Sequence, residues 1–118
     1  MSFGDGEAAY RARKYSDATA IFERYIVQRP NNAWGHYMLG LSAWKHGDLV
    51  KSEQAFDTAL SIDPHHVKSL VNMSRVLIER KRHDDAIASL TRAADIDPGG
   101  GAIPWRRGQR KPHSRPSR

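Results

Sequence analysis

The sequence contains no cysteine among its 118 residues. A disulfide framework, a thiolate metal site and a cysteine nucleophile are therefore excluded. The chain also lacks an apolar run long enough to span a membrane, and no leader with a charged start and an apolar core follows Met1. The default expectation is a cytoplasmic protein without a membrane span. The alternative that an upstream part of the protein is missing from this sequence stays open.

Motifs that carry catalysis are also missing. The six histidines show no HExxH spacing, and the glycines at 99–101 lack the Lys-Ser/Thr pair that completes a phosphate-binding loop. No serine lies in a nucleophile elbow, and no pair of carboxylates stands out. We therefore expect neither enzyme activity nor a metal or cofactor.

Acidic residues are absent from the last part of the chain. Residues 1–98 carry 13 basic and 13 acidic side chains, whereas residues 99–118 carry six basic side chains and no acid. This Gly/Pro/Arg-rich tail has too few apolar residues to fold alone, and we predict that it is disordered. Two other interpretations stay open. The tail binds nucleic acid or an anionic membrane through phosphate contacts, or it is not native and comes from a truncated or frame-altered reading of a longer repeat protein.

Instead, the sequence contains an internal repeat. Pro30, Pro64 and Pro98 are separated by 34 residues each. Small residues recur at the same spacing, and so do large apolar residues. The aligned sets are Gly6, Gly40 and Ser74; Ala18, Ser52 and Ala86; and Phe22, Phe56 and Leu90. Two antiparallel helices pack closely where small residues meet, so this pattern predicts helical hairpins, with Gly40 and Ser52 at the middle crossing.

The repeat resembles the tetratricopeptide repeat (TPR) family. The resemblance rests on the period, on "YMLG" at Tyr37–Gly40, on Ser52, Phe56 and Ala59, and on "SIDP" at Ser61–Pro64. It implies an all-α solenoid of about three repeats, at about 5–30, 31–64 and 65–98, the first one shortened. Residues 1–98 are thus predicted to form one repeat domain before the tail. Trp34 is displaced from the family's usual tryptophan position, and Ser74 replaces the usual glycine.

The resemblance further implies a right-handed solenoid whose first helices line a concave groove for peptides or partner proteins. Helix spacing then indicates which side chains face the groove. The candidate residues are Tyr10, Trp34, Tyr37, Leu41, Trp44, Lys68, Val71, Asn72 and Arg75, with Lys45 and Glu79 beside them. Aromatic anchors flanked by cations are typical of binding hot spots. In the alternative interpretation, Trp44 packs on the neighbouring helix and Trp34 fills the joint with the first repeat.

Some members of this family clamp the C-terminal carboxylate of a chaperone. The positions that correspond to the clamp are Phe3, Glu7, Met38, Lys68 and Asn72, and only Lys68 matches. Glu7 would repel a carboxylate. We therefore expect that this protein is not a chaperone-tail clamp.

The leading hypothesis is a protein-interaction scaffold whose partner is an unknown protein or peptide. An alternative is a fragment of a larger TPR protein that self-associates through its last helix, where Ile87 and Leu90 have no following repeat to pack against. Pro98 marks the start of a fourth repeat, but the glycines at 99–101 and Pro104 oppose a helix there. We expect Ile103 and Trp105 to fold back over this end.

Overall fold

The computed structural model describes residues 2–99, which form six α-helices. The helices are α1 (Phe3–Arg11), α2 (Tyr15–Gln28), α3 (Ala33–Lys45), α4 (Leu49–Ile62), α5 (Val67–Glu79) and α6 (His83–Ile96). They pair into three hairpins, α1–α2, α3–α4 and α5–α6, and no strand occurs between residues 2 and 99. The predicted all-α hairpin solenoid is thereby confirmed. The expectations for the tail, including Ile103 and Trp105, lie outside the described residues.

Polar side chains mark where several helices begin. Asn32 accepts a hydrogen bond from the Gly35 amide before α3, and Asp48 accepts one from the Lys51 amide before α4. The first helix starts earlier than expected. Ser2 forms a capping box with Asp5, in which each side chain accepts a hydrogen bond from the other residue's amide. This cap places the start of α1 at Phe3, before the predicted start of the first repeat at about residue 5.

The three hairpins share one turn geometry. Each helical link contains a residue with left-handed backbone geometry, at Arg13 (φ 63°), Gly47 (φ 93°) and Lys81 (φ 62°). These positions are 34 residues apart. In each link the next amide donates back to a carbonyl five residues earlier, as in a Schellman motif. Only the middle link has glycine, the residue that adopts this geometry without steric cost.

The middle hairpin closes over its small residues, as the repeat predicts. A Cβ placed on Gly40 would lie 2.7 Å from Cε1 of Phe56, so the ring packs directly on the α3 backbone. Ser52 donates a buried hydrogen bond of 2.7 Å to the Gly40 carbonyl. Gly6 meets Phe22 in the same way in the first hairpin. Phe22 and Phe56 are fully buried and lie at the centre of the main apolar core.

Neighbouring hairpins are joined by both apolar and ionic contacts. At the first joint, Tyr25 and Ile26 of α2 lie against Gly35 of α3. At the second joint, Glu53 of α4 pairs with Arg80 and with Arg82, at 2.7 Å from the latter. The first two hairpins therefore each bury their second helix against the next hairpin, which is the arrangement of a solenoid.

Two further findings apply to residues 2–99 alone. None of their helices is long and apolar enough to cross a membrane. No group of three or more His, Asp or Glu side chains is placed there to hold a metal ion.

Candidate functional site

The first helices of the three hairpins lie side by side, with α3 in contact with both α1 and α5. On this side of the molecule, two groups of aromatic and charged side chains occupy α3 and α5. We call Trp34, Tyr37, His66 and Lys68 the Trp34 cluster. We call Trp44, Lys45, Arg75 and Glu79 the Trp44 cluster. The sequence-predicted groove residues fall largely into these two clusters.

The Trp34 cluster begins at the first residues of α3. The Trp34 ring is 39% exposed, and its centroid lies 5.0 Å from that of Tyr37 and 5.4 Å from that of His66. The ammonium group of Lys68 lies 5.8 Å from the Trp34 centroid, within the range of a cation–π contact. Trp34 is thus held by neighbouring rings while more than a third of it faces solvent.

Tyr37 supports this cluster from below and is not an exposed anchor. It is 7% exposed, and its ring packs on Phe56. Asn72 donates hydrogen bonds to the Tyr37 hydroxyl at 3.3 Å and to the Lys68 carbonyl at 2.8 Å. Burial raises the pKa of Tyr37, so its phenol stays protonated at neutral pH. Trp34 and Lys68 are the members of this cluster that present the most surface.

The Trp44 cluster links the end of α3 to the end of α5. The indole nitrogen of Trp44 donates a 2.6 Å hydrogen bond to Glu79. The Lys45 ammonium and the Arg75 guanidinium lie 5.0 and 5.8 Å from the Trp44 ring centroid. Trp44 therefore packs against the neighbouring hairpin, as one interpretation held. It also keeps a partly exposed face that is bordered by two cations.

The other candidates lie at different depths. Val71 is 5% exposed and packs with Leu70 and Ala93, so it belongs to the core and we withdraw it from the candidate surface. Its position on α5 turns it toward α6 rather than toward the groove. Leu41 and Tyr10 are half-buried and pack on the main core, with Tyr10 stacked edge-on against Tyr15. Both border the groove without projecting into it.

Sequence reasoning missed two side chains on this side of the molecule. His66 is absent from the predicted groove residues, but its ring packs beside both the Trp34 and the Tyr37 rings and accepts at Nδ1 from the Ser69 amide at 3.3 Å. Ile78 is also absent from the predicted groove residues, and it is 47% exposed. The signal for Ile78 was present in the repeat, because it aligns with Tyr10 and Trp44.

Positive charges outnumber negative charges in the two clusters. Lys45, Lys68 and Arg75 are exposed cations, and Glu79 is the one acid among the named cluster residues. The clamp positions, in contrast, offer little to a carboxylate. Met38 is 7% exposed, and the Phe3 ring packs edge-on against Phe22 at 5.4 Å. Neither side chain can donate a hydrogen bond or a positive charge to a carboxylate.

Several known proteins are similar to this chain in sequence. Residues 5–106 match the family model described as the middle TPR-like domain of cilia and flagella-associated protein 70. Over 83 residues, 70% of the chain, the sequence is 32% identical to the protein O-mannosyl-transferase Tmtc3 of Drosophila melanogaster. Over 66 residues, 56% of the chain, it is 32% identical to protein NPGR2 of Arabidopsis thaliana. The matched part spans about 9% of each of these relatives.

Solved structures share the same fold at low sequence identity. The first TPR domain of Spaghetti (RPAP3), bound to an HSP90 peptide, superimposes with a TM-score of 0.81 at 12% identity, over 85% of this chain and 79% of that one. The Yersinia enterocolitica chaperone SycD, in complex with a peptide of the translocator YopD, superimposes with a TM-score of 0.80 at 15% identity. That match covers 84% of this chain and 76% of SycD. The predicted tetratricopeptide-repeat fold is confirmed.

Proposed function

Since this chain belongs to the TPR-like family of the middle domain of cilia and flagella-associated protein 70, we propose that it is a protein-interaction module that binds an extended segment of a partner protein in its concave groove. We also propose that residues 1–98 are the repeat domain and that the module is a scaffold rather than a catalyst. The peptide complexes of RPAP3 and SycD support the general function, since both proteins share this fold.

The observation that carries the proposal is the exposed Trp34 ring with Lys68 beside it. A large ring held rigidly by its neighbours loses little conformational entropy on binding, which makes it an efficient anchor. Trp44 and Arg75 repeat the same combination further along α3 and α5. A ligand that presents an apolar side chain to each ring and carboxylates to Lys68 and Arg75 would satisfy both clusters.

We therefore propose that the ligand is acidic and is bound along its length, not by its C-terminal carboxylate. Trp44 and Lys45 lie six and seven residues beyond the clamp position Met38 on α3, and Arg75 lies three residues beyond Asn72 on α5. The clamp positions Met38 and Phe3 are apolar side chains that pack on the core. Amidating the C-terminus of a bound peptide should then change its affinity little. A large loss of affinity on amidation would support a carboxylate clamp and overturn this part of the proposal.

The test is selection from a display library of random peptides against the full-length chain. We expect the selected peptides to be enriched in Asp and Glu next to an aromatic or aliphatic residue. The double variant Trp34→Ala, Lys68→Glu should weaken their binding by at least ~10-fold, because anchors of this type contribute about 2 kcal/mol or more. Arg75→Glu should weaken binding less and raise its salt sensitivity.

Val27→Ala is the matched control for these variants. Val27 is 79% exposed on α2, outside both clusters. Its loss should leave peptide binding unchanged. Selected peptides that bind the Trp34, Lys68 double variant as tightly as the native chain would place the binding surface elsewhere and refute the proposal.

A further inference from the structure

Each end of the hairpin array exposes a surface. The residues at the same repeat positions are buried at the joints between hairpins. At the second joint, a groove of about 240 Å³ lies between α4 and the third hairpin. Its lining on the third hairpin is Leu70, Met73, Leu77, Arg82, Asp85, Ala88, Ser89 and Arg92. The helix α4 covers this lining with Glu53, Asp57 and Leu60. The contact is therefore one helix seated on the outer side of the following hairpin.

The first hairpin has most of this lining without a helix on it. The counterparts of the six lining residues from Leu77 onward, two repeat periods earlier, all line an open groove of about 630 Å³: Ala9, Lys14, Asp17, Ala20, Ile21 and Arg24. The counterparts of Leu70 and Met73 are Ser2 and Asp5, which lie outside that lining. We call it the N-terminal groove. Ala8 and Ala12 complete its wall, so every lining residue belongs to α1, to α2 or to their link. Its volume is larger because its side chains are small and because no helix within residues 2–99 covers it in the way that α4 covers the lining at the second joint.

The other end of the array presents the matching helix. Thr19 on α2, Glu53 on α4 and Ile87 on α6 occupy one register of the repeat. Thr19 is 6% exposed and the Glu53 side chain 13% exposed, because a hairpin follows each of them. Ile87 is 60% exposed, since no hairpin follows α6 within residues 2–99. We call the surface around Ile87 on α6 the end face.

The chemistry of the two ends changes together. At the second joint, Glu53 pairs with Arg80 and Arg82. At the ends, Ile87 stands in the register of Glu53, Ala12 in that of Arg80, and Lys14 in that of Arg82. The contact between Glu53 and Arg80 is thus replaced by an apolar residue on one end and a small apolar residue on the other, and these two match each other. Lys14 keeps the positive charge of Arg82 in the lining of the groove.

From this match we infer that a second copy of the chain docks its end face into the N-terminal groove, so that copies associate head to tail. Ile87 enters the pocket formed by Ala12, Ala20 and Ile21, and α6 takes the place that α4 holds at the second joint. The contact is heterologous: each copy uses different surfaces for its two neighbours. Such contacts extend into open stacks unless one end is blocked.

Head-to-tail association differs from self-association in general because it requires two different surfaces on each copy. Ala20→Glu blocks the groove, and Ile87→Glu blocks the end face; both sites are exposed in the single chain, so the fold should tolerate the changes. In sedimentation experiments on the full-length protein, the native chain should increase in mass with concentration. Each variant alone should stay monomeric, with an unchanged circular dichroism spectrum. Val27→Glu, at an exposed apolar site outside both surfaces, should associate like the native chain.

The decisive measurement is an equal mixture of the two variants. The Ile87→Glu chain keeps its groove and the Ala20→Glu chain keeps its end face, so the mixture should form a dimer and nothing larger. Native chains that stay monomeric at all concentrations overturn the inference, which is the result expected if the basic tail or a preceding repeat occupies these surfaces. Persistent association of the Ala20→Glu chain on its own also overturns it, because it indicates symmetric contact between two end faces.

Discussion

The middle hairpin and the third hairpin share the repeat register. Four of the matched positions at which their residues differ affect how well each hairpin is packed. Phe56, Gly40, Gly47 and Asn32 in the middle hairpin correspond to Leu90, Ser74, Lys81 and His66 in the third. Phe56 is fully buried against the Gly40 backbone, whereas Leu90 is only half-buried. Gly47 adopts left-handed geometry without strain, whereas Lys81 adopts it at a steric cost.

The difference shows how one backbone plan can be stabilised unequally along an array. The middle hairpin combines a glycine, a large ring and a relaxed turn, and it has a neighbour on both sides. The third hairpin has weaker versions of these features and leaves one face of α6 open. We therefore expect local opening to begin in the third hairpin. Exchanging the matched residues tests this gradient.

The largest effect should come from the large apolar residue at the crossing. Phe56→Ala removes a fully buried ring and should lower the free energy of unfolding by about 3–5 kcal/mol. Leu90→Ala should cost about 1–2 kcal/mol, because its side chain is already partly solvated. Urea denaturation followed by circular dichroism measures both. Equal losses would mean that the two crossings are equally packed.

The small residue at the crossing should show the next largest contrast. Gly40→Ala places a methyl group 2.7 Å from the Phe56 ring, and we expect a net loss of about 1–3 kcal/mol despite the better helix propensity of alanine. Ser74→Ala removes only a hydrogen bond to the Val71 carbonyl of its own helix. It should change stability by about 0.5 kcal/mol or less. A neutral Gly40→Ala would show that the ring can shift.

The hairpin links should respond in opposite directions. Gly47→Ala has space for the new methyl group, so its cost is conformational, at about 1 kcal/mol. Lys81→Gly relieves the same strain and should raise stability by up to about 1 kcal/mol. Thermal denaturation of the two variants distinguishes these outcomes. Destabilisation by Lys81→Gly would indicate that the Lys81 side chain contributes more than its backbone strain costs.

The smallest effect should be a pH dependence confined to the third hairpin. Burial lowers the pKa of His66, and its Nδ1 accepts from the Ser69 amide, so the folded state favours the neutral ring. As the pH falls, the unfolded state therefore binds a proton at His66 before the folded state does. The stability that the neutral ring contributes above the usual histidine pKa of 6.5 is lost as the pH falls below that value. The acceptor of an asparagine does not titrate in this range.

We expect His66→Asn to reduce the loss of stability between about pH 8 and about pH 5, because it makes the cap resemble Asn32. His65→Asn, at the exposed neighbouring residue, is the control and should leave the pH profile unchanged. Denaturation midpoints at several pH values provide the measurement. Identical profiles for the native and His66→Asn chains would exclude His66 as the titrating group.

Much of the architecture followed from spacing alone. The prolines, Gly40, Ser52 and Phe56 predicted a hairpin and its crossing, because only small residues allow two helix backbones to approach. The early start of α1 was missed, because the capping box at Ser2 depends on a side-chain geometry that the periodicity of apolar residues does not report.

The candidate groove was predicted less completely. Helix spacing located Trp34, Trp44, Lys68 and Arg75 on one side but did not distinguish the exposed rings from the buried Tyr37. Spacing specifies the direction of a side chain from its own helix. It does not specify how far the neighbouring hairpin covers that side chain. Ile78 and His66 were missed for the same reason, since their surroundings come from residues far away in sequence.

By itself, the sequence determined the period, the hairpin crossings, most of the helix boundaries and the family, because these depend on contacts within one hairpin or between residues of fixed offset. The tertiary structure alone decided which aromatic rings are exposed, and it alone revealed that the N-terminal groove and the end face repeat the surfaces of an internal joint. These features depend on how successive hairpins stack. Stacking buries Thr19 and Glu53 but leaves Ile87 in solvent at the same register, because only the last helix has no following hairpin in the described array.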